Sequence, residues 1–147
     1  MVWLHILAAV VWIGGMIFIS LILAPALRRF PQDTRRELLG TVGTAAKGVG
    51  WIAVMVLLFT GFLNVVHLQL QWDTLIGRLL MLKLSLVAVM IVLSALHDFI
   101  LGPLLTSRPA AEDPPSSRLR RLVPWLARIN LVLALGVIYL AVLIARA

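Results

Sequence analysis

Apolar residues run through this chain in four long stretches, from about Val2 to Leu27, Val49 to Leu70, Leu75 to Leu101 and Leu122 to Ala145. Each matches or exceeds the ~20 residues that an α-helix needs to cross about 30 Å of hydrocarbon. Four transmembrane helices are therefore predicted. The first stretch has a leader-like Ala24-Pro25-Ala26, but no basic residues precede it. Its apolar run also exceeds the ~7–15 residues of a cleaved leader, so it is read as a membrane helix.

The polar connections give the direction of each crossing. Arg28, Arg29, Arg35, Arg36 and Lys47 follow the first stretch, and Arg108, Arg118, Arg120 and Arg121 follow the third. Between the second and third, from Gln71 to Thr74, no basic residue occurs until Arg78. Basic loops stay in the cytoplasm, which puts both long connections inside and both termini on the outer, periplasmic side. The segment from Ser107 to Ser117, with Pro109, Pro114 and Pro115, reads as a flexible connector. No internal repeat or soluble domain is evident. The expected architecture is all-α, a single four-helix membrane bundle over residues 1–147 in a bacterial-type inner membrane.

Composition supports that solvent. Hydrophobic residues make up 62% of the chain and charged residues 13%, whereas soluble domains carry about 25% charged residues. The net charge of +7 belongs with the cytoplasmic loops rather than with nucleic acid. Cysteine is absent, which excludes disulfides, thiolate metal sites and cysteine nucleophiles. The remaining candidates for chemistry are three His, a few carboxylates, the Met residues and polar groups inside apolar runs.

Those groups fall into two layers when depth is counted at about 1.5 Å per residue. His5, Asn64, His67 and Lys83 lie toward the outer surface, and His97, Asp98, Arg128 and Asn130 toward the inner one. Each helix also carries its polar groups on one face. The stripes are His5, Trp12 and Gly15; Thr60, Asn64 and His67; Lys83, Val87, Met90, Ser94 and His97; and Arg128, Val132, Leu135 and Tyr139. Polar groups within a membrane are costly and normally turn inward, marking a site or pathway. Taken singly, each has a structural role available. His5 and His67 suit the interface, Lys83 can extend its stem outward, Asp98 and Arg128 can pair, and Gly14-Gly15 permits close packing. Two histidines at one depth on inward stripes point instead to a site.

Neutral imidazole is both the commonest metal ligand and an axial ligand of haem iron. A haem between helices needs small residues beside the macrocycle and aromatic walls, which Gly14, Gly15, Gly61 and Trp12 supply. Lys83 and the arginines can meet propionates. Copper favours His with Met thioethers, for which Met16 and Met90 are available. Both readings stay open on residue type, and the spacing suits haem better.

The segment from Leu4-His5-Ile6 through Val11-Trp12-Ile13-Gly14-Gly15 resembles the first membrane segment of the copper resistance D (CopD) family. Phe59-Thr60-Gly61-Phe62-Leu63-Asn64, the run from Ile76-Gly77-Arg78 to Lys83-Leu84, and Arg128-Ile129-Asn130-Leu131 are similar to its later segments, in order. The His-Trp-Gly helix, a third-helix Lys followed by His, and an Arg near Asn also resemble HemJ-type protoporphyrinogen oxidases. That second resemblance implies four helices, b-type haem, and functional roles for His5, Lys83 and His97.

The resulting expectation is a CopD-like protein that binds haem b between its helices and passes electrons, with a haem-dependent membrane oxidoreductase as its enzymatic form. His5 and His67 would be the ligands, with His97 a lesser candidate, lined by Trp12, Gly15, Gly61 and Asn64. Lys83 is the catalytic candidate. A quinone or redox protein is the expected partner, beside the lipid bilayer and a second copy of the chain. The alternative is copper transport or homeostasis through His5, His67 and the third-helix stripe. A third reading is an accessory subunit without cofactor.

Overall fold

The computed structural model describes residues 1–67, 73–102 and 117–146. All regular structure among them is helical, and four helices are long and apolar enough to cross a membrane. We call them α1 (Val2–Arg29), α2 (Gln32–His67), α3 (Leu75–Leu101) and α4 (Ser117–Arg146). The membrane-spanning part of α4 is Leu122–Arg146. A lipid bilayer is therefore the environment of this chain. The expected end of the second span at 68–70, Gln71 and Trp72 in the following turn, and most of the connector expected at 107–117 lie outside the described residues.

Contacts gather into two compact units, Met1–Leu70 and Gln71–Ala147. The first contains α1 and α2, and the second α3 and α4.

In the first unit, α1 begins regularly and widens to a π-helical turn over Phe18–Leu23, where the Ala24 N–H donates to the Ile19 carbonyl five residues back. Pro25 comes next. Proline has no N–H to donate, and its ring collides with the carbonyl four residues earlier, so the turn ahead of it opens. A 3₁₀ turn at Leu27–Arg29 closes the helix, with the Phe30 N–H donating to the Leu27 carbonyl. Phe30 is extended (φ −97°, ψ 156°), as the residue before a proline prefers. The Pro31 carbonyl then accepts the first bond of α2 from the Arg35 N–H at 3.0 Å.

The start of α2 differs most from the sequence expectation. Its apolar run begins near Val49, yet the helix begins at Gln32. Hydropathy reports which residues prefer lipid, not where a helix starts. No proline follows Pro31 in this segment, and Asp33 in the first turn complements the positive end of the helix dipole. At 36 residues the helix is about 54 Å long, well beyond the hydrocarbon thickness. Its polar first turns must therefore stand outside the apolar layer.

The two helices run antiparallel, because contacts pair His5 with Thr60 and Gly61, and Trp12 with Gly50. The His5 and Trp12 side chains meet small residues on α2: Thr60 and Gly61 against His5, and Gly50 against Trp12. Ala8, Trp12, Ile13, Ala53, Val54 and Thr60 are buried. Lipid tails are as apolar as leucine, so membrane helices associate through this kind of close fit rather than through hydrophobic exclusion.

In the second unit, Thr74 caps α3. Its hydroxyl accepts from the Gly77 N–H at 3.2 Å, and its carbonyl accepts from the Arg78 N–H at 3.0 Å. The end of α3 repeats the device of α1: a π-helical turn over Leu96–Leu101, with the Gly102 N–H donating to the His97 carbonyl. The sequence again puts a proline, Pro103, directly afterwards. Met90, Leu80, Ala134, Val137, Leu140 and Asn130 are buried in this unit.

Candidate histidine site of the first helix pair

His5 is half-buried on the first turns of α1. Its Nδ1 lies 2.8 Å from the Thr60 hydroxyl, and that hydroxyl lies 2.6 Å from the Val56 carbonyl one turn back on α2. Thr60 is fully buried. The shorter of these contacts claims the Thr60 hydrogen. A carbonyl oxygen only accepts, so the single Thr60 hydrogen points to Val56. The hydroxyl then accepts from His5 in the tautomer that carries the ring proton on Nδ1. In the neutral ring this makes Nε2 the basic, lone-pair nitrogen, the atom that ligates a metal. Oriented imidazole ligands are normally held in this way, with the other ring nitrogen donating to a fixed acceptor.

Gly61 completes the arrangement. A Cβ built there would sit 3.3 Å from His5 Cε1, closer than most real contacts. The missing side chain lets the imidazole lie against the α2 backbone. The sequence reading placed Gly61 beside a macrocycle, but in this rotamer the room is taken by the His5 ring itself. Trp12 lies two turns further along α1 and packs over Gly50, where an added Cβ would stand 3.6 Å from Trp12 Cδ1. Gly14 and Gly15 have open space where a Cβ would be.

The other outer-layer candidates are distributed along α2 and α3. Asn64 is half-buried one turn beyond Thr60, and His67, at the last position of α2, is exposed. Seven residues separate Thr60 from His67, about 10 Å of helical rise. Lys83 is half-buried on α3 and belongs to the second unit.

The inner-layer candidates pair differently from the Asp98–Arg128 bridge entertained from sequence. His97 Nδ1 stands 2.9 Å from Asp98 Oδ1 within the π-helical turn of α3. The Asn130 amide donates to the Ser94 hydroxyl at 2.9 Å, joining α4 to α3. The Arg128 guanidinium lies over the Trp125 ring, 5.6 Å from its centroid. Among the described residues no group of three or more His, Cys, Asp or Glu side chains could hold a metal ion.

Sequence reasoning put Thr60 on the inward stripe but not in the site. A hydroxyl one turn from a helical carbonyl ordinarily bonds only to that carbonyl, as Thr44 does to Gly40 and Ser85 to Met81. Thr60 does the same and also accepts from another helix. The available signal was the facing pair of stripes, small on α2 and large on α1.

An uncharacterized protein of Aquifex aeolicus (strain VF5) is 34% identical over 140 residues, covering 95% of this chain and 89% of the relative. No solved structure matches. The family model for copper resistance protein D matches residues 47–144, which include Thr60, Gly61, Asn64, His67, Lys83 and His97 and leave His5 outside the matched segment. The chain is a multi-pass membrane protein that belongs to the copper resistance protein D (CopD) family.

Proposed function

We propose that this protein handles copper ions at the outer side of a bacterial inner membrane, taking the ion as cargo on Nε2 of His5. The observation that carries the reading is the His5–Thr60–Val56 hydrogen-bond chain, which presents Nε2 as the basic nitrogen and holds the ring in place. Imidazole suits copper, and the family's association with copper resistance supports the choice of ion. In this reading both termini are periplasmic, following the distribution of Arg and Lys. The Thr60–Asn64–His67 face leads the ion from the end of α2 toward His5. His67 is the first stop, because it is exposed two turns beyond Thr60, and His5 is the second.

The same lone pair would serve as an axial ligand of haem b in an electron-transfer protein, with His67 opposite. Copper is preferred because Gly61 accommodates the imidazole rather than a macrocycle edge. Purified protein from cells supplied with both copper and haem precursor separates the two. Copper by elemental analysis with no Soret band supports copper handling. A Soret band that sharpens on reduction, with no copper, would overturn it in favour of haem.

A further inference from the structure

Arg128 lies about 9 Å along α4 from Leu122, where the apolar span begins. Its side chain is exposed. A guanidinium at this depth is expensive unless it reaches the interface and meets an anion. Side chains on a helix lean toward its N-terminus, which for α4 is the near membrane surface. The guanidinium lies over Trp125, one turn in that direction and itself exposed. Tryptophan at a membrane interface holds an apolar body in lipid and a polar edge near the headgroups. Trp125 and Arg128 share a shallow apolar depression on α4 with Ile129, Val132 and Leu133.

An exposed cation thus lies over an exposed aromatic ring near the start of the apolar span, with apolar side chains beside it. We propose that this surface is a binding site for an anionic phospholipid in the leaflet at the N-terminal end of α4. The headgroup phosphate is taken by Arg128, and an acyl chain lies along Ile129, Val132 and Leu133. The planar guanidinium matches phosphate oxygens two at a time. Arg118, Arg120 and Arg121 precede the site in sequence and make this end of the helix strongly positive, which selects anionic over zwitterionic lipid. The proposal does not depend on what His5 binds.

The test is native mass spectrometry of the delipidated full chain titrated with phosphatidylglycerol, phosphatidylcholine or inorganic phosphate. Wild type should retain phosphatidylglycerol in preference to phosphatidylcholine, and inorganic phosphate should not displace it, because the apolar depression contributes to binding. Arg128→Gln should weaken phosphatidylglycerol retention about fivefold or more, from a loss of ~1 kcal/mol per basic residue at a membrane surface. Arg128→Lys, which keeps the charge and loses the flat two-point contact, should fall between the two and guards against a folding failure of the glutamine variant. Arg146→Gln, at the other end of α4, should match wild type. Equal retention of both lipids by wild type, or an Arg128→Gln protein indistinguishable from it, would overturn the proposal. So would displacement by inorganic phosphate, or an effect of Arg128→Gln on oligomeric state with lipid retention unchanged.

Discussion

Replacing Thr60 by Val tests whether the buried hydroxyl acts through His5. Valine keeps the branched shape of threonine and removes only the polar group, so the packing of α1 on α2 should survive. Two hydrogen bonds are lost, at 2.8 Å to His5 and 2.6 Å to Val56. The bond to His5 is the interhelical one, and such bonds stabilise membrane proteins by about 0.6 kcal/mol on average and at most ~1.7 kcal/mol, so the fold should persist. The effect on the ion should be larger. Losing the group that orients a ligand histidine typically costs 10–100-fold in metal affinity, or ~1.4–2.8 kcal/mol. Anaerobic Cu(I) titration against a competing chelator measures this directly, and the ring ¹⁵N shifts of His5 report which nitrogen carries the proton. Thr60→Val should weaken binding by that factor and lose the fixed Nδ1–H form. Thr60→Ser should keep both nearly unchanged. Wild-type affinity in Thr60→Val would refute the reasoning, as would a Thr60→Ser protein that falls equally far.

Other positions give independent checks. Gly50→Ala places a methyl at ordinary contact from Trp12 and removes a helix-interior glycine, so unfolding in detergent should show a gain of about 0.5–1 kcal/mol. Gly61→Ala brings the same gain in helix propensity but pushes on His5 at 3.3 Å, so copper affinity should drop severalfold while Gly50→Ala leaves it alone. Asn130→Leu removes the buried bond to Ser94 and should destabilise the second helix pair by about 1 kcal/mol in a denaturation experiment. The chain has no cysteine, so single substitutions report topology cleanly: Thr44→Cys should react with impermeant reagents only from the cytoplasmic side and Thr74→Cys only from the periplasmic side.

What could be read in advance divides along physical lines. The four spans were legible because lipid demands long apolar runs, and Val2, Leu75 and Leu122 each begin one. The true start of α2 was not, since the polar residues from Gln32 onward are adequate helix formers whatever solvent surrounds them. The π-helical turns ahead of Pro25 and Pro103 were partly legible, because a proline late in an apolar helix implies some local repair without saying which. At the site, depth arithmetic set His5 near the end of α1 but could not give its rotation against α2. That rotation decides that the ring meets Thr60 and Gly61. The role of Gly61 followed the same way: sequence indicated missing bulk, and only the packing says that His5 uses it.

The central claim, that His5 takes copper through Nε2, is tested most directly by anaerobic Cu(I) titration of wild type beside His5→Ala in detergent. The account predicts that wild type binds copper against a competing chelator, and that His5→Ala, with its helical content unchanged, loses the tightest equivalent. Copper binding by His5→Ala at the same stoichiometry and affinity as wild type would contradict it.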